Sequence, residues 1–226
     1  MNKIKKEKNN PRIKDLIYIS IVYFATNWFL LIMTGRWWDD WCLWNQEPQS
    51  LINMAMEMGR PEVIYIVRFI KLFPEPFYRL LTFVMFYLTI IFTYNILVKG
   101  LSIRRDKALV VSVLSIVIPV NVDRTMLCIF PYTVGYFFFF LGFDLLINID
   151  LNMKNNLLYR ALLLILFTIS FVLNSCLFFY SLVLIYILFK TKSIKGLLRY
   201  IDFIIIPVLF YIIKIKLFGL NSISLV

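Results

Sequence analysis

Residues 161–189 read ALLLILFTISFVLNSCLFFYSLVLIYILF, a continuous apolar run of 29 residues. Such a run is the signature of a membrane-spanning segment. A single helix of this length would be about 44 Å long at 1.5 Å per residue. A bilayer core is only about 30 Å thick. The length therefore predicts two short helices, broken near Asn174 and Ser175.

The charges that flank the apolar runs favour the same division. Three basic segments flank the apolar runs: Lys3–Lys14, Lys99–Lys107 and Lys190–Arg199. Lys and Arg accumulate in cytoplasmic loops, so all three segments are predicted to be cytoplasmic. This requires an even number of crossings between Arg160 and Lys190.

The fold class that follows is an all-α, polytopic integral membrane helix bundle with about seven transmembrane helices. We expect a single transmembrane domain over residues 1–226 in the plasma (inner) membrane, with the N-terminus cytoplasmic and the C-terminus outside. The first span is predicted to be a retained signal-anchor helix. The spans are Asp15–Thr34, Leu80–Val98, Ala108–Val120, Met126–Ile147, two within Ala161–Phe189, and Tyr200–Leu217.

The composition supports a membrane protein and excludes several kinds of site. The chain has 226 residues, of which 61% are hydrophobic and only 16% charged. Its net charge of +11 would suggest a nucleic-acid-binding function if the protein were soluble. Here the basic residues lie between apolar runs, so we interpret them as topology signals and expect no nucleic-acid partner. The chain has no His, and its three Cys have no metal or disulfide spacing.

The external loop 35–79 is too rich in aromatic and aliphatic residues to stay unfolded in water. Within residues 61–73, polar side chains recur at three-residue steps, which predicts a helix lying on the membrane surface with Arg68 and Lys71 toward the headgroups. Pro61 suits its first turn, and Pro74 and Pro76 are predicted to stop it. A second short helix is expected over residues 49–58. The polar positions of the predicted helix at 61–73 are Glu62, Tyr65, Arg68 and Lys71.

Two carboxylates, Asp39 and Asp40, lie in the stretch Arg36-Trp37-Trp38-Asp39-Asp40-Trp41, where the first span ends. All five Trp of the chain fall between Trp28 and Trp44. Charge near the hydrocarbon edge is costly and tends to mark a functional site. The alternative is an aromatic belt with two solvated acids.

A second acid, Asp123, falls on the same predicted external side, in the short turn Asn121–Thr125. Carboxylates from two loops can share Mg²⁺ or Mn²⁺, which makes Asp40 and Asp123 candidate metal ligands. One acid can instead act as general base toward a hydroxyl. The competing interpretation is a local ion pair between Asp123 and Arg124.

Basic residues on the external side are candidates for binding an anion such as a phosphate. Arg60, Arg124 and Arg36 are the favoured phosphate-binding residues, because Arg contacts phosphate in a bidentate manner. The alternative is that these side chains only anchor helix ends by snorkelling. The full set of basic residues considered as anion-binding candidates is Arg36, Arg60, Arg79, Arg124, Lys214 and Lys216.

This layout resembles the GT-C superfamily of polytopic glycosyltransferases, which use polyprenyl-phosphate-linked sugars. The resemblance rests on the acidic motif Asp39-Asp40, the surface helix 61–73 and the second acid Asp123. It implies transfer of a sugar from a polyprenyl-phosphate donor to a glycan or lipid acceptor on the outer face. Asp39 or Asp40 would then be the general base. Such enzymes usually continue through more helices, so the chain would be a minimal member or a fragment.

Two other functions fit the same pattern. A multi-pass transporter or flippase for a lipid-linked or anionic solute would place polar groups at mid-membrane, and Asp144 could then relay protons. The other interpretation pairs Asp144 with a basic loop residue. A glycan polymerase would use the same outer-face chemistry as the transferase. The Lys-, Ile- and Asn-rich composition suggests a bacterial source.

Overall fold

The structure is a computed structural model of the whole chain. It describes residues 11–33, 40, 43, 47, 49–50, 53, 57, 61–148, 157–192, 198 and 200–218. The statements below concern these residues.

The described residues form helices and no β-strand. Two 3₁₀ segments, Pro119–Thr125 and Leu127–Ile129, precede the sixth α-helix. The all-α class is therefore confirmed for this part of the chain. The α-helices are α1 Pro11–Asn27, α2 Phe29–Ile32, α3 Pro61–Ile70, α4 Glu75–Asn95, α5 Arg105–Val117, α6 Phe130–Asn148, α7 Leu157–Ser170, α8 Asn174–Thr191 and α9 Ile201–Phe218.

The long apolar run is divided into two helices, as its length predicts. Helix α7 ends at Ser170, whose hydroxyl donates to the carbonyl of Phe167 at 2.7 Å. Leu173 is extended, with φ −97° and ψ 121°, and α8 begins at Asn174. The break therefore lies at Phe171–Leu173, just before the predicted position, and Asn174 opens the second helix.

Three helical segments are long and apolar enough to cross a membrane: Glu75–Gly100, Leu127–Asn148 and Asn174–Thr191. Helix α7 is a shorter apolar helix of 14 residues. This identifies a membrane protein with transmembrane helices. The count of seven crossings and the cytoplasmic N-terminus remain predictions.

Helix α4 begins before the predicted span Leu80–Val98, and the helical segment that it opens ends after that span, at Gly100. It starts at Glu75 because Pro74 and Pro76 preset the backbone of a first helical turn. Helix α3 has already ended at Ile70, so these prolines begin α4 and do not terminate α3. At its other end α4 continues into a π-helical turn, Ile96–Gly100.

The buried apolar side chains of the described residues form three clusters, one among α6, α7, α8 and α9, one among α3, α4 and α6, and one among α1, α2, α4 and α5. Aromatic rings pack edge to face across these helices, for example Phe167 on Tyr180 at 5.0 Å between centroids. Glycine allows α6 to approach its neighbours closely. A Cβ atom at Gly135 would lie 2.6 Å from Leu173, and one at Gly142 would lie 3.2 Å from Phe167. The outer faces carry exposed apolar residues, as a lipid-facing bundle requires: Ile17, Ile21, Phe24, Val110, Leu114, Ile165, Phe178 and Phe189.

Charged and amide side chains join the helices at the end of the bundle that is predicted to be cytoplasmic. Arg105 and Tyr94 both donate to the Asp15 carboxylate. On the α7 side, Arg160 pairs with Asp202 of α9 at 2.5 Å. These contacts fix α1, α4 and α5 to one another, and α7 to α9.

We expect labelling of single cysteines in intact cells to report the predicted topology. A Cys at Ser50 should react with a membrane-impermeant thiol reagent, because the 35–79 loop is predicted to be external. A Cys at Ser193, which lies outside the described residues, should react only after permeabilisation. Reaction at position 193 in intact cells would refute an even number of crossings between Arg160 and Lys190.

Candidate functional site

The candidate site lies where the chain passes from α5 into α6. Pro119 opens the first 3₁₀ segment, and Asn121 fixes it to the helix before it. The Asn121 amide donates to the carbonyls of Ser115 and Ile116 at 3.0 and 2.9 Å, which satisfies groups left free where α5 ends. From the α4 side, the Tyr78 hydroxyl donates to the carbonyl of Thr125 at 2.9 Å. The turn is thus held rigidly on both sides.

Asp40 contacts the segment that follows this turn. Its side chain is fully buried, and its Oδ1 accepts the backbone N–H of Cys128 at 3.1 Å. The other oxygen, Oδ2, has no hydrogen-bond partner among the described residues. A buried carboxylate oxygen without a partner is costly, so its retention suggests a role beyond packing. Asp40 therefore lies against Cys128, three residues after the Asn121–Thr125 turn, and a catalytic centre formed by the motif and the turn stays a prediction.

Arg124 is the cation of the site. Its Nε donates to the Asn121 side-chain oxygen and its Nη1 to the Thr133 hydroxyl, both at 3.2 Å. The guanidinium lies 4.2 Å from the centroid of the Phe86 ring. Burial lowers the pKa of Arg124, while the nearby Tyr23 hydroxyl opposes that shift. A guanidinium nevertheless remains protonated at neutral pH.

The partners of Arg124 are neutral within the described part of the chain, where no carboxylate forms an ion pair with it. Asp123, its neighbour in sequence, does not pair with it. The local ion pair considered above is therefore wrong. The two hydrogen bonds use two of the five N–H groups of a guanidinium, and the positive charge is uncompensated by these partners.

Asp123 is half-buried, and its backbone carbonyl accepts the N–H of Met126 at 3.0 Å. Its side chain makes no hydrogen bond to another described residue. Among the residues described, no group of three or more His, Cys, Asp or Glu could hold a metal ion. A cation shared by Asp40 and Asp123 alone stays a prediction.

The remaining predicted residues divide into two groups. Arg36, Asp39 and Arg60 lie outside the described residues. Arg79 is buried and pairs with Glu75 at 2.8 Å, and Lys214 donates to the Asn174 side chain at 3.0 Å. Phosphate binding by Arg79 and Lys214 stays a prediction.

Asp144 lies at the opposite end of α6. Its side chain is 8% exposed, and Asn148 donates to both its carbonyl at 2.7 Å and its Oδ2 at 3.3 Å. Lys99 donates to Asn148 at 2.5 Å. The predicted pairing of Asp144 with a basic loop residue is thus mediated by an amide, while Arg12 donates to Asn95 on the neighbouring helix.

Sequence analysis did not identify Thr133, Tyr136 or Ser175 as site residues; Ser175 was named only as part of the predicted helix break. Their only signal was the occurrence of hydroxyl groups inside apolar runs, which also occurs for structural reasons.

In comparisons with known proteins, no family model, no curated protein and no solved structure matches this chain.

Proposed function

We propose that this protein is an integral membrane glycosyltransferase of the GT-C type, moving a sugar from a polyprenyl-phosphate donor to a glycan or lipid acceptor on the outer face of the plasma membrane. The observation that carries the proposal is that a buried acid contacts, and a half-buried cation lies in, the segment that joins α5 to α6. Asp40 is tied to Cys128, and Arg124 precedes Cys128 by four residues. Such a transfer requires a general base and a cation that binds the phosphate.

The chemistry assigns one role to each group. The Asp40 carboxylate takes the proton of an acceptor hydroxyl as its oxygen forms a bond to the anomeric carbon of the donor sugar. The bond from that carbon to the phosphate oxygen breaks, and the phosphate leaves with one more negative charge. Arg124 stabilises that charge, which is greater in the transition state than in the bound donor.

Further residues extend the proposed site. Asp39 is the alternative base, and Asp123 is a second acid that would share Mg²⁺ or Mn²⁺ with Asp40 if the reaction uses a metal. Arg36 and Arg60 are proposed as additional phosphate contacts. In this proposal seven crossings place the 35–79 loop, the Asn121–Thr125 turn and the C-terminus outside.

Helix α3 supports a location at the membrane surface. Tyr65 and Phe69 are exposed by 70% and 55% on a face that also carries the exposed Arg68, while Val67 and Ile70 are buried on the other face. A helix with aromatic rings and one basic side chain on its exposed face, ending five residues before the candidate span Glu75–Gly100, suits the interface between lipid and water. Lys71, predicted to reach the headgroups, donates instead to the carbonyl of Leu43 at 2.8 Å.

We expect spin labels on α3 in reconstituted protein to report this orientation. Labels at Tyr65→Cys and Phe69→Cys should be accessible to oxygen, which concentrates in lipid, and protected from a water-soluble nickel relaxant. The matched control is an Arg104→Cys label, in an exposed loop, which should show the reverse. High nickel accessibility at both α3 positions would place the helix in water and contradict the interfacial assignment.

The proposed activity is tested by transfer in nanodiscs that contain the full chain. Undecaprenyl phosphate carrying a radiolabelled hexose is supplied with membrane lipids and glycans from a bacterial envelope as acceptors. Release of undecaprenyl phosphate together with a labelled acceptor supports the enzyme. Movement of the lipid-linked sugar across a vesicle membrane without transfer would instead favour the transporter.

The transporter remains the second candidate because of Asp144. Its Oδ1 is buried without a hydrogen-bond partner among the described residues, within the candidate span Leu127–Asn148. Ionisable side chains in such positions often line transport pathways. Under the transporter alternative, Asp144→Asn should stop lipid translocation, whereas the enzyme hypothesis predicts normal sugar transfer by this variant.

A further inference from the structure

Polar side chains extend from Arg124 across the end of the bundle toward α8 and α9. On α6, Thr133 accepts from Arg124, and Tyr136 follows one helical turn later on the same face. The Tyr136 hydroxyl is 3.4 Å from the hydroxyl of Ser175, the second residue of α8. We call Thr133, Tyr136, Ser175 and Asn174 the polar strip.

Lys214 of α9 contacts the polar strip at Asn174. Its side chain is only 6% exposed, and its Nζ donates to the Asn174 side-chain oxygen at 3.0 Å. This contact fixes the orientation of the Asn174 amide, because the oxygen is held by the cation. The amide nitrogen, with its two N–H donors, has no hydrogen bond to another described residue and is directed away from Lys214.

The exposed end of the strip is not needed to stabilise the helix break. The break is closed by backbone bonds, Leu173 N–H to the Ser170 carbonyl at 3.1 Å and Cys176 N–H to the Leu173 carbonyl at 3.0 Å. Ser175 is exposed and Tyr136 is half-buried, so their hydroxyls are available to a ligand. Hydroxyl groups and an amide on an otherwise apolar surface are suited to a ligand that carries several hydroxyl groups.

We propose that the polar strip binds the sugar ring of the lipid-linked donor, whose phosphate is held by Arg124. This inference rests on the proposed function, since it uses the same phosphate position. Tyr136 and Ser175 exchange hydrogen bonds with sugar hydroxyls, and the Asn174 amide nitrogen donates to another. Lys214 is a positioning residue that acts through Asn174.

The test measures binding to the full chain in nanodiscs by fluorescence of the native Trp residues. The probes are undecaprenyl phosphate alone and undecaprenyl phosphate carrying glucose, galactose, mannose or N-acetylglucosamine, each measured separately. At least one sugar should increase affinity over the bare lipid phosphate by about tenfold, the effect of one or two good hydrogen bonds. If no sugar increases affinity, the strip does not bind sugar and the inference is overturned.

Variants then locate that gain in affinity. Ser175→Ala and Asn174→Ala should each remove most of it and leave binding of the bare lipid phosphate unchanged. Lys214→Met should have the same effect, whereas Lys216→Met, an exposed change two residues further along α9, should have none. Ser175 is exposed, so its truncation tests the strip even if Lys214→Met fails to fold.

Failure of this inference differs from failure of the proposed function. If Ser175→Ala and Asn174→Ala keep the full gain while Arg124→Gln weakens both classes of probe, the strip is not the sugar site and the phosphate site stands. If Arg124→Gln weakens neither class, the phosphate site fails and the sugar assignment built on it fails as well. If the strip variants lose affinity for the bare lipid phosphate and for the lipid-linked sugars to the same extent, the substitutions have a general structural effect. That result would also refute the inference.

Discussion

Replacing Asp40 with Asn is expected to reduce sugar transfer by about 10²–10⁴-fold, the contribution of a positioned general base. The substitution keeps the size of the side chain and removes its charge. Its amide oxygen still accepts the Cys128 N–H that Oδ1 now accepts at 3.1 Å. Transfer should therefore fall while expression and thermal unfolding in nanodiscs remain close to wild type.

Asp40→Ala separates catalysis from anchoring. Alanine removes the carboxylate that accepts the part-buried Cys128 N–H, which costs about 1 kcal/mol of unfolding free energy. This variant should lose both transfer and thermal stability. If Asp40→Asn is fully active while Asp40→Ala unfolds early, Asp40 is a structural anchor and not a base.

Two further substitutions complete the series. Asp123→Asn should also lower transfer if that side chain is a second acid or a metal ligand, and Asp39→Asn tests the alternative base. The matched control is Asp106→Asn, an exposed acid that pairs with Arg104 beside α5. Full activity of Asp39→Asn, Asp40→Asn and Asp123→Asn alike would end the enzyme hypothesis at this site and favour the transporter.

Hydropathy and length were sufficient to predict the helical framework but not its boundaries. The break within residues 161–189 followed from the mismatch between run length and bilayer thickness. The early start of α4 did not, because Pro74, Glu75 and Pro76 are not apolar although they form a good first helical turn. The π-helical turn at Ile96–Gly100 had no signal in the sequence; it ends at Gly100, where a Cβ atom would lie 2.4 Å from Ile147 of α6.

The site was predictable in its residue types and less so in its contacts. Asp40 and the turn that follows α5 were both identified from their predicted positions at the outer ends of spans. That Asp40 binds a backbone N–H at Cys128 could not be inferred, because it depends on where a long loop returns to the bundle. For the same reason the aromatic partner of Arg124, Phe86 on α4, could not be identified from sequence spacing.

The second large effect is expected at Arg124. Arg124→Met should reduce transfer by about 10²–10³-fold, comparable to the loss of one donor that stabilises charge in a transition state. The loss should appear mainly in kcat, since the phosphate gains charge as the sugar leaves. A weaker but substantial loss is expected for Arg124→Lys, which keeps the charge but not the planar, two-pronged donor geometry.

Stability measurements distinguish this role from a structural one. Arg124 is a half-buried cation whose described partners are the neutral side chains of Asn121, Thr133 and Phe86. Removing its charge relieves part of a desolvation cost, but it also takes a hydrogen-bond partner from the buried Asn121 and Thr133 side chains. The two effects oppose each other, so Arg124→Met should unfold at a temperature close to that of wild type. The control Arg104→Met, at an exposed pair with Asp106, should change neither transfer nor unfolding. Unchanged transfer by Arg124→Met would show that the guanidinium does not contact the leaving phosphate. Loss of transfer without loss of thermal stability is therefore the result expected if Arg124 binds the leaving phosphate.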